Sequence, residues 1–462
     1  MQNSSKFFEN RACQFFPCHK GLEAGDFNCL FCYCPLYTRD VCPGNPTFIK
    51  KDDGRIIKRC TDCLFPHKSE NYEKIMRLLR TKKTNSNFLE EFHHGGENFS
   101  SKIDFSVNTN PLGLPESVKS VLKNSFEFCE KYPDQNCTEL RLKLANSTLI
   151  KQKISSSELQ SISPDFIFIG NGASELISLA VRAISPKNAL LLAPSFLGYE
   201  RALKICDCQI HYHNLKHEKK FLLDEEFFSS IEKFSPDMIF LCNPNNPTGK
   251  MIEFNLLEKI VSICEEKCIF LVIDECFIDF TSSAENSVLR FVTQNSHLLV
   301  LNAFTKIFAM AGLRLGYLIS SNFALIQKIK FLQSEWSVST LAQISGIAAL
   351  EEADCYIEKT RKIIKEEKEF LGKELKALGF EVFESEANFI LIRDCKASTS
   401  ALSQSENFSA STKLDDLLLK RGISIRACEN FRNLDKTYYR LAVKNHAENE
   451  NLTSILKDIY QN

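Results

Sequence analysis

The chain has 462 residues, 44% hydrophobic and 25% charged, and its 57 basic and 58 acidic side chains leave a formal charge of −1. That length is too great for one small core, so two or three domains are expected. The balanced charge excludes a global field for nucleic acid or an anionic membrane, so an anionic ligand must be gripped by a few local cations. No apolar run approaches the ~20 residues of a membrane span. Residues 1–16 carry no signal-peptide core, which makes the cytoplasm the expected compartment.

Eight of the 19 cysteines precede residue 64: Cys13, Cys18, Cys29, Cys32, Cys34, Cys42, Cys60 and Cys63. In a reducing cytosol such a cluster reads as a metal site rather than a disulfide frame. Cys29-x2-Cys32 and Cys60-x2-Cys63 are two knuckles, and this spacing lets both thiolates of a knuckle turn toward one ion. His19 and His67 are further candidates. Residues 1–68 are short and rich in turn residues, so bound metal is expected to supply part of their stability. Zinc is the expected ion, although thiolate ligands also suit an iron–sulfur cluster, and sequence leaves the ligand pairing open. Residues 69–91 are charged and helix-compatible and read as a connecting helix or linker.

The second part opens at His94-Gly95-Gly96, followed by Ile103 to Gly113, a short strand breaking into a Pro/Gly turn. From 165 to 320, short apolar runs alternate with helical stretches. The strand candidates are DFIFIGNG, NALLLAPS, MIFLCNPN, CIFLVIDE and LLVLNAF. Continuous apolar runs spaced by helices predict an α/β fold with a mostly parallel, buried sheet. Ligands of such sheets gather just beyond the strand ends.

Polar motifs stand at those ends. Gly170-Asn171-Gly172-Ala173-Ser174-Glu175 precedes a helix, whose first N–H groups and positive dipole end suit a phosphate; a plain helix cap is the competing reading. Phe196 follows the next strand and suits either stacking on a flat ring or core packing. Asn243-Pro244-Asn245-Asn246-Pro247-Thr248-Gly249 makes a rigid polar strand exit, and Asn246 can donate to a phenolic oxygen. Asp274 ends the fourth run, where its carboxylate can pair with a protonated ring nitrogen. Lys306 then follows Thr305, with Arg314 eight residues on. Near the end, Arg426 and Arg440 each sit in a short apolar alternation. Two inward arginines suit a carboxylate and a phosphate, because a guanidinium forks onto either. Surface arginines are the plainer alternative. Residues 396–412 are serine-rich and read as an exposed loop.

In this order, GNGASE, NPNNPTG, VIDE, FTKIFAMAGLRLGY and the block around Arg426 and Arg440 resemble the class I/II aminotransferase superfamily, from about residue 92 onward. Within it the chain is similar to the threonine-phosphate decarboxylases of cobalamin biosynthesis, themselves relatives of histidinol-phosphate aminotransferases. The cysteine-rich segment resembles the small domain attached to some cobamide-pathway proteins. The resemblance implies a fold-type I pyridoxal-phosphate enzyme. Residues 92–130 would form an arm and part of a small domain, 131–325 the large cofactor-binding domain, and 326–462 a smaller α+β domain.

It also implies roles. Lys306 holds the cofactor aldehyde and is the catalytic residue. Asp274 meets the ring nitrogen, Asn246 the ring oxygen, and Phe196 stacks on the ring. Ala173, Ser174, Thr305 and Arg314 hold the cofactor phosphate, and Tyr132 reaches it from the other subunit of a homodimer. His94, Asn108, Arg426 and Arg440 take the substrate, a small phosphorylated amino acid. The implied reaction removes CO2 from O-phospho-L-threonine or O-phospho-L-serine, giving an aminoalcohol phosphate for cobamide nucleotide-loop assembly. Transamination of the histidinol-phosphate type is the alternative. Two positions depart from the family pattern: Ala303 stands where a phosphate-binding hydroxyl is common, and Phe277 where a tyrosine is common.

Overall fold

The computed structural model of the chain describes residues 4–19, 21–22, 25–37, 42–44, 46–51, 56–80, 96, 101–154, 161–282, 286–396 and 413–461. They divide into two compact units, 1–92 and 93–462.

The first unit is built on turns. Strands β1 (Thr47–Lys50) and β2 (Ile56–Arg59) form an antiparallel hairpin with Thr47 opposite Arg59. A helix follows over Tyr72–Arg80, within the stretch read as helix or linker. Asn28 ties the irregular segments together. Its Oδ1 accepts from the Phe8 and Leu30 amides at 3.1 Å each, its Nδ2 donates to the Lys6 carbonyl at 2.9 Å, and its own amide donates to the His67 carbonyl at 2.7 Å. Such a hub replaces the ladder that a larger domain would use.

In the second unit, β3 (Ile103–Asp104) precedes a seven-stranded sheet. Its members are β4 (Ile167–Gly170), β5 (Asn188–Ala193), β6 (Gln209–Asn214), β7 (Met238–Cys242), β8 (Phe270–Asp274), β9 (Leu298–Ala303) and β10 (Gly316–Ile319). The order is β4-β10-β9-β8-β7-β5-β6, and β10 alone runs against the direction of the other six strands. The five apolar runs of the sequence are β4, β5, β7, β8 and β9. Their residues are buried almost throughout, because helices cover both faces. Two strands lay outside that reading. β6 is an edge strand whose residues are mostly half-exposed, so it lacks an apolar run. β10 is only four residues long and emerges directly from the Gly-Leu-Arg-Leu-Gly stretch.

A second sheet of β11 (Phe380–Phe383), β12 (Phe389–Asp394), β14 (Arg426–Ala427) and β15 (Tyr438–Ala442) is antiparallel in the order β11-β12-β15-β14. Between them in sequence, β13 (Ile423–Ser424) pairs in parallel with β3. That pairing brings the 104–110 segment beside the arginine-bearing strands. Helices Ala353–Ala377 and His446–Gln461 pack against each other in this part. The serine-rich stretch lies, but for Lys396, outside the described residues. Among the described residues no helix is long and apolar enough to cross a membrane.

Candidate active site

The large sheet and the arginine-bearing strands meet at a cavity of about 200 Å3. It gathers residues from eight separate stretches. Ala173, Ser174, Phe196, Asn246, Asp274, Thr305, Lys306, Arg314, Asn108, Arg426 and Arg440 all line it. Tyr132 does not: it is exposed and stacks on Trp336 at 4.4 Å between ring centroids. His94 lies outside the described residues.

Lys306 stands on the short helical turn Phe304–Ile307, directly after β9. Burial above all, then the Arg440 guanidinium, pushes its amine down to about 8 from the ordinary 10.5. A neutral amine is the nucleophile an aldehyde needs, so the site prepares Lys306 for covalent attachment.

Asp274 is the last residue of β8 and is buried. Tyr199 Oη donates to its Oδ2 at 2.7 Å and the Cys276 amide donates to its Oδ1 at 3.0 Å. Burial and then the charge of Asp274 raise the Tyr199 phenol well above its usual range, so Tyr199 remains a proton donor to the carboxylate. This fixes the carboxylate's orientation from below.

The asparagines of the Asn-Pro-Asn-Asn-Pro loop divide their labour. Asn243 Oδ1 accepts from the Ile252 amide at 2.9 Å. Asn245 Nδ2 donates to the Pro194 carbonyl and to Thr248 Oγ1, both at 3.0 Å. These two hold the loop. Asn246 instead faces the cavity, and Arg440 Nη1 donates to its Oδ1 at 2.5 Å. A guanidinium only donates, so this bond fixes the amide's orientation and leaves Nδ2 as the donor Asn246 presents.

At the start of the helix Ala173–Ile184, Gly172 has φ +77°, and a β-carbon there would sit 2.6 Å from Arg314 Nη2. The guanidinium therefore lies against the helix's first turn, beside unpaired N–H groups and the Ser174 and Thr305 hydroxyls. Arg314 itself is held at φ +57°, in the left-handed region that favours glycine. Donors so placed at a helix N-terminus suit an anion such as a phosphate.

Arg426 and Arg440 are directly opposite each other in the β14–β15 register. Arg440 Nη2 donates to the Ser106 carbonyl at 2.7 Å, but its buried Nε has no partner. Burial pulls this guanidinium down to about 10, the neighbouring Arg426 contributing less. Arg426 Nη2 donates to Asn430 Oδ1 at 2.9 Å. Asn108 Oδ1 is likewise buried without a partner. Unpartnered buried polar atoms are costly, and their convergence on one cavity marks a place for a polar, anionic ligand.

Tyr199, Cys276, Ser106 and Phe431 complete the site without having been singled out from sequence. Only Tyr199 carries a readable signal, because it stands three residues after Phe196 at a helix start, on the same face.

In the first unit all eight cysteines are free thiols. The ligand atoms of Cys18, His19 and His67 lie within 4.8 Å of one another. Cys34, Cys42, Cys60 and Cys63 line one small cavity, which Cys32, His19 and His67 share.

Residues 100–458 match the family described as aminotransferase class I and II, and residues 4–89 match the cysteine-rich small domain. A threonine-phosphate decarboxylase of Salmonella typhimurium is 33% identical over 77% of this chain and 91% of its own length. A histidinol-phosphate aminotransferase of Caldicellulosiruptor saccharolyticus is 29% identical over 77% of this chain and 91% of its own. Among solved structures, the histidinol-phosphate aminotransferase of Clostridium acetobutylicum superposes with a TM-score of 0.67 at 33% identity. That match covers 78% of this chain and 99% of the other.

Proposed function

The chain belongs to the class I and II aminotransferase family, whose fold-type I members are pyridoxal-phosphate enzymes, and we propose that it decarboxylates O-phospho-L-threonine or O-phospho-L-serine. The product is the aminoalcohol phosphate used in cobamide nucleotide-loop assembly. The donor set fits the cofactor. An aldehyde-seeking lysine, a carboxylate anchored by Tyr199, an amide donor and a phosphate-sized cradle face one cavity. Lys306 holds the cofactor, Asp274 faces its ring nitrogen and Asn246 its ring oxygen. Phe196 covers the ring, while Ala173, Ser174, Thr305 and Arg314 take its phosphate. Tyr132 joins them from the partner of a homodimer.

When bound, pyridoxal phosphate supplies the sink for the electron pair of the bond broken at the substrate Cα. The chain's own groups choose that bond. Arg440 and Arg426 take the substrate's carboxylate and phosphate, with Asn108 and His94 beside them, and so fix how the Cα substituents stand to the ring. Holding the Cα–carboxylate bond perpendicular to the ring releases CO2. Lys306 Nζ then returns a proton to Cα.

The observation that supports decarboxylation is the 33% identity to the threonine-phosphate decarboxylase of Salmonella typhimurium over 91% of its length. The two buried guanidiniums, opposite each other in register, suit the carboxylate and phosphate of O-phospho-L-threonine, and equally the phosphate of histidinol phosphate and the carboxylates of 2-oxoglutarate. The aminotransferase reading keeps support from the 33% identity to the Clostridium acetobutylicum enzyme. Purified, cofactor-loaded protein distinguishes the two by kcat/KM. Decarboxylation predicts turnover of phosphothreonine or phosphoserine without any keto acid, and the faster of the two names the substrate. Turnover only with histidinol phosphate plus 2-oxoglutarate would establish the aminotransferase.

For the first unit the reading is a metal-bearing module, with zinc as the ion.

A further inference from the structure

We infer that Asn433 and Arg432 are positioning residues for the substrate: they clamp the turn 428–434 onto the ends of two strands of the large sheet and thereby hold Arg426 at the cavity. This deepens the decarboxylase reading and rests on it, because it takes Arg426 as an arginine that grips the substrate's phosphate or carboxylate.

The turn carries the groups that orient Arg426. Its Nη1 donates to the Ala427 carbonyl at 2.6 Å, its Nη2 donates to Asn430 Oδ1 at 2.9 Å, and its guanidinium lies over the Phe431 ring at 5.0 Å. Phe431 is buried and lines the cavity beside it. The turn is closed by the Phe431 amide, which donates to the Cys428 carbonyl at 3.0 Å, and by the Leu434 amide, which donates to the Phe431 carbonyl at 3.1 Å. Arg440 differs, since Asn246 and the Ser106 carbonyl fix it from other parts of the chain. A guanidinium oriented by a turn is only as well placed as the turn itself.

Two side chains seat that turn. Asn433 Nδ2 donates to the Leu215 carbonyl at 2.7 Å and to the Ala193 carbonyl at 3.2 Å. Ala193 is the last residue of β5, Leu215 directly follows β6, and the Leu215 amide donates to the Ala193 carbonyl at 2.8 Å. One carboxamide, with its two N–H donors, therefore bridges both strand ends. Asn433 stands at φ +69°, a left-handed conformation that asparagine adopts more readily than most residues. Arg432 is the second anchor. Its guanidinium lies over the Tyr212 ring of β6 at 4.0 Å, and its Nη2 stands 3.7 Å from Glu200 Oε1. Glu200 belongs to the helix Leu197–Ile205, and Phe196, another wall of the cavity, immediately precedes that helix. The clamp thus ties the turn that orients Arg426 to the strand end and helix that carry Phe196, so the two keep a fixed separation across the cavity.

Stability alone is the competing role, and it predicts a different response. The test compares Asn433→Gly with the unaltered protein, both cofactor-loaded. Glycine keeps the left-handed backbone and removes both donors. KM for O-phospho-L-threonine should rise about tenfold, as two neutral hydrogen bonds are lost. The value of kcat should hold within about twofold, as when binding alone is weakened, and cofactor affinity and melting temperature should change little. Arg432→Leu should move KM the same way by about threefold, the scale of an exposed cation–π contact. In an Arg426→Gln background, Asn433→Gly should add less than about twofold, because both act through one guanidinium. An unchanged KM, a full tenfold effect in the absence of Arg426, or a lowered melting temperature with substrate affinity intact would overturn the clamp. Turnover of histidinol phosphate with 2-oxoglutarate alone would overturn the decarboxylase reading instead, and the same KM comparison on that pair would then decide the clamp.

Discussion

The two units solve the folding problem differently. In the first, the large apolar side chains buried among the described residues are Phe7, Phe27, Leu36 and Ile75. Each contributes about 1.5–3 kcal/mol, while ordering each residue's backbone costs about 1–2 kcal/mol. Four such side chains are too few for a unit of this length. In the second, strands β4, β5, β7, β8 and β9 are buried on both faces, with Leu299, Val272 and Phe240 wholly inside. Apolar area carries that unit, and it can therefore hold costly groups such as the buried Arg440 and the Lys306 amine, pushed down to about 8, at its cavity. One unit spends its polar groups on holding itself together; the other frees them for chemistry.

The sharpest way to separate the units is Lys306→Ala. It should lower CO2 release by about 10³-fold or more, since the residue both anchors the cofactor and moves the proton. The metal count should be unchanged. Next in size is the core. Leu299→Ala in β9 should destabilise the second unit by about 2–5 kcal/mol, read as a lower melting temperature, again with full metal content. A thiolate-competing chelator should do the reverse, unfolding the first unit and leaving the second transition in place. A single shared transition in both experiments would break the contrast.

Within the site, Arg440→Lys keeps the charge but loses the fork. Hydrogen bonds to charged groups are worth about 1.5–3 kcal/mol, so kcat/KM should fall by about 10- to 150-fold. Tyr199→Phe keeps the ring stacked on Phe240, now at 4.8 Å between centroids, and removes only the donor to Asp274. Cofactor binding should weaken by roughly tenfold, about 1.4 kcal/mol, with little change in melting temperature. The smallest effect is in pH. Lys306 is protonated below about 8 and neutral above it. Cofactor uptake by the cofactor-free protein should therefore quicken up to about pH 8 and then level off. A rise that continues toward the ordinary lysine range near 10.5 would show that the amine is not depressed.

The central sheet and most of the cavity were legible because the fold places motif residues at strand ends, where apolar runs stop. Gly172, Asn246, Asp274 and Lys306 all sit at such stops. Tyr199 was harder to read, since its role comes from a bond to a residue 75 positions away. The edge strand β6 was silent because its residues are mostly half-exposed. In the first unit, the cysteines announced metal, but knuckle spacing alone cannot say which knuckle joins which lone cysteine.

The most direct measurement follows O-phospho-L-threonine labelled in its carboxyl group, incubated with the cofactor-loaded protein and no keto acid. The account predicts labelled CO2 well beyond one equivalent per chain, with an aminoalcohol phosphate as the partner product. Retention of the label in an amino or keto acid, with at most one turnover, would contradict it.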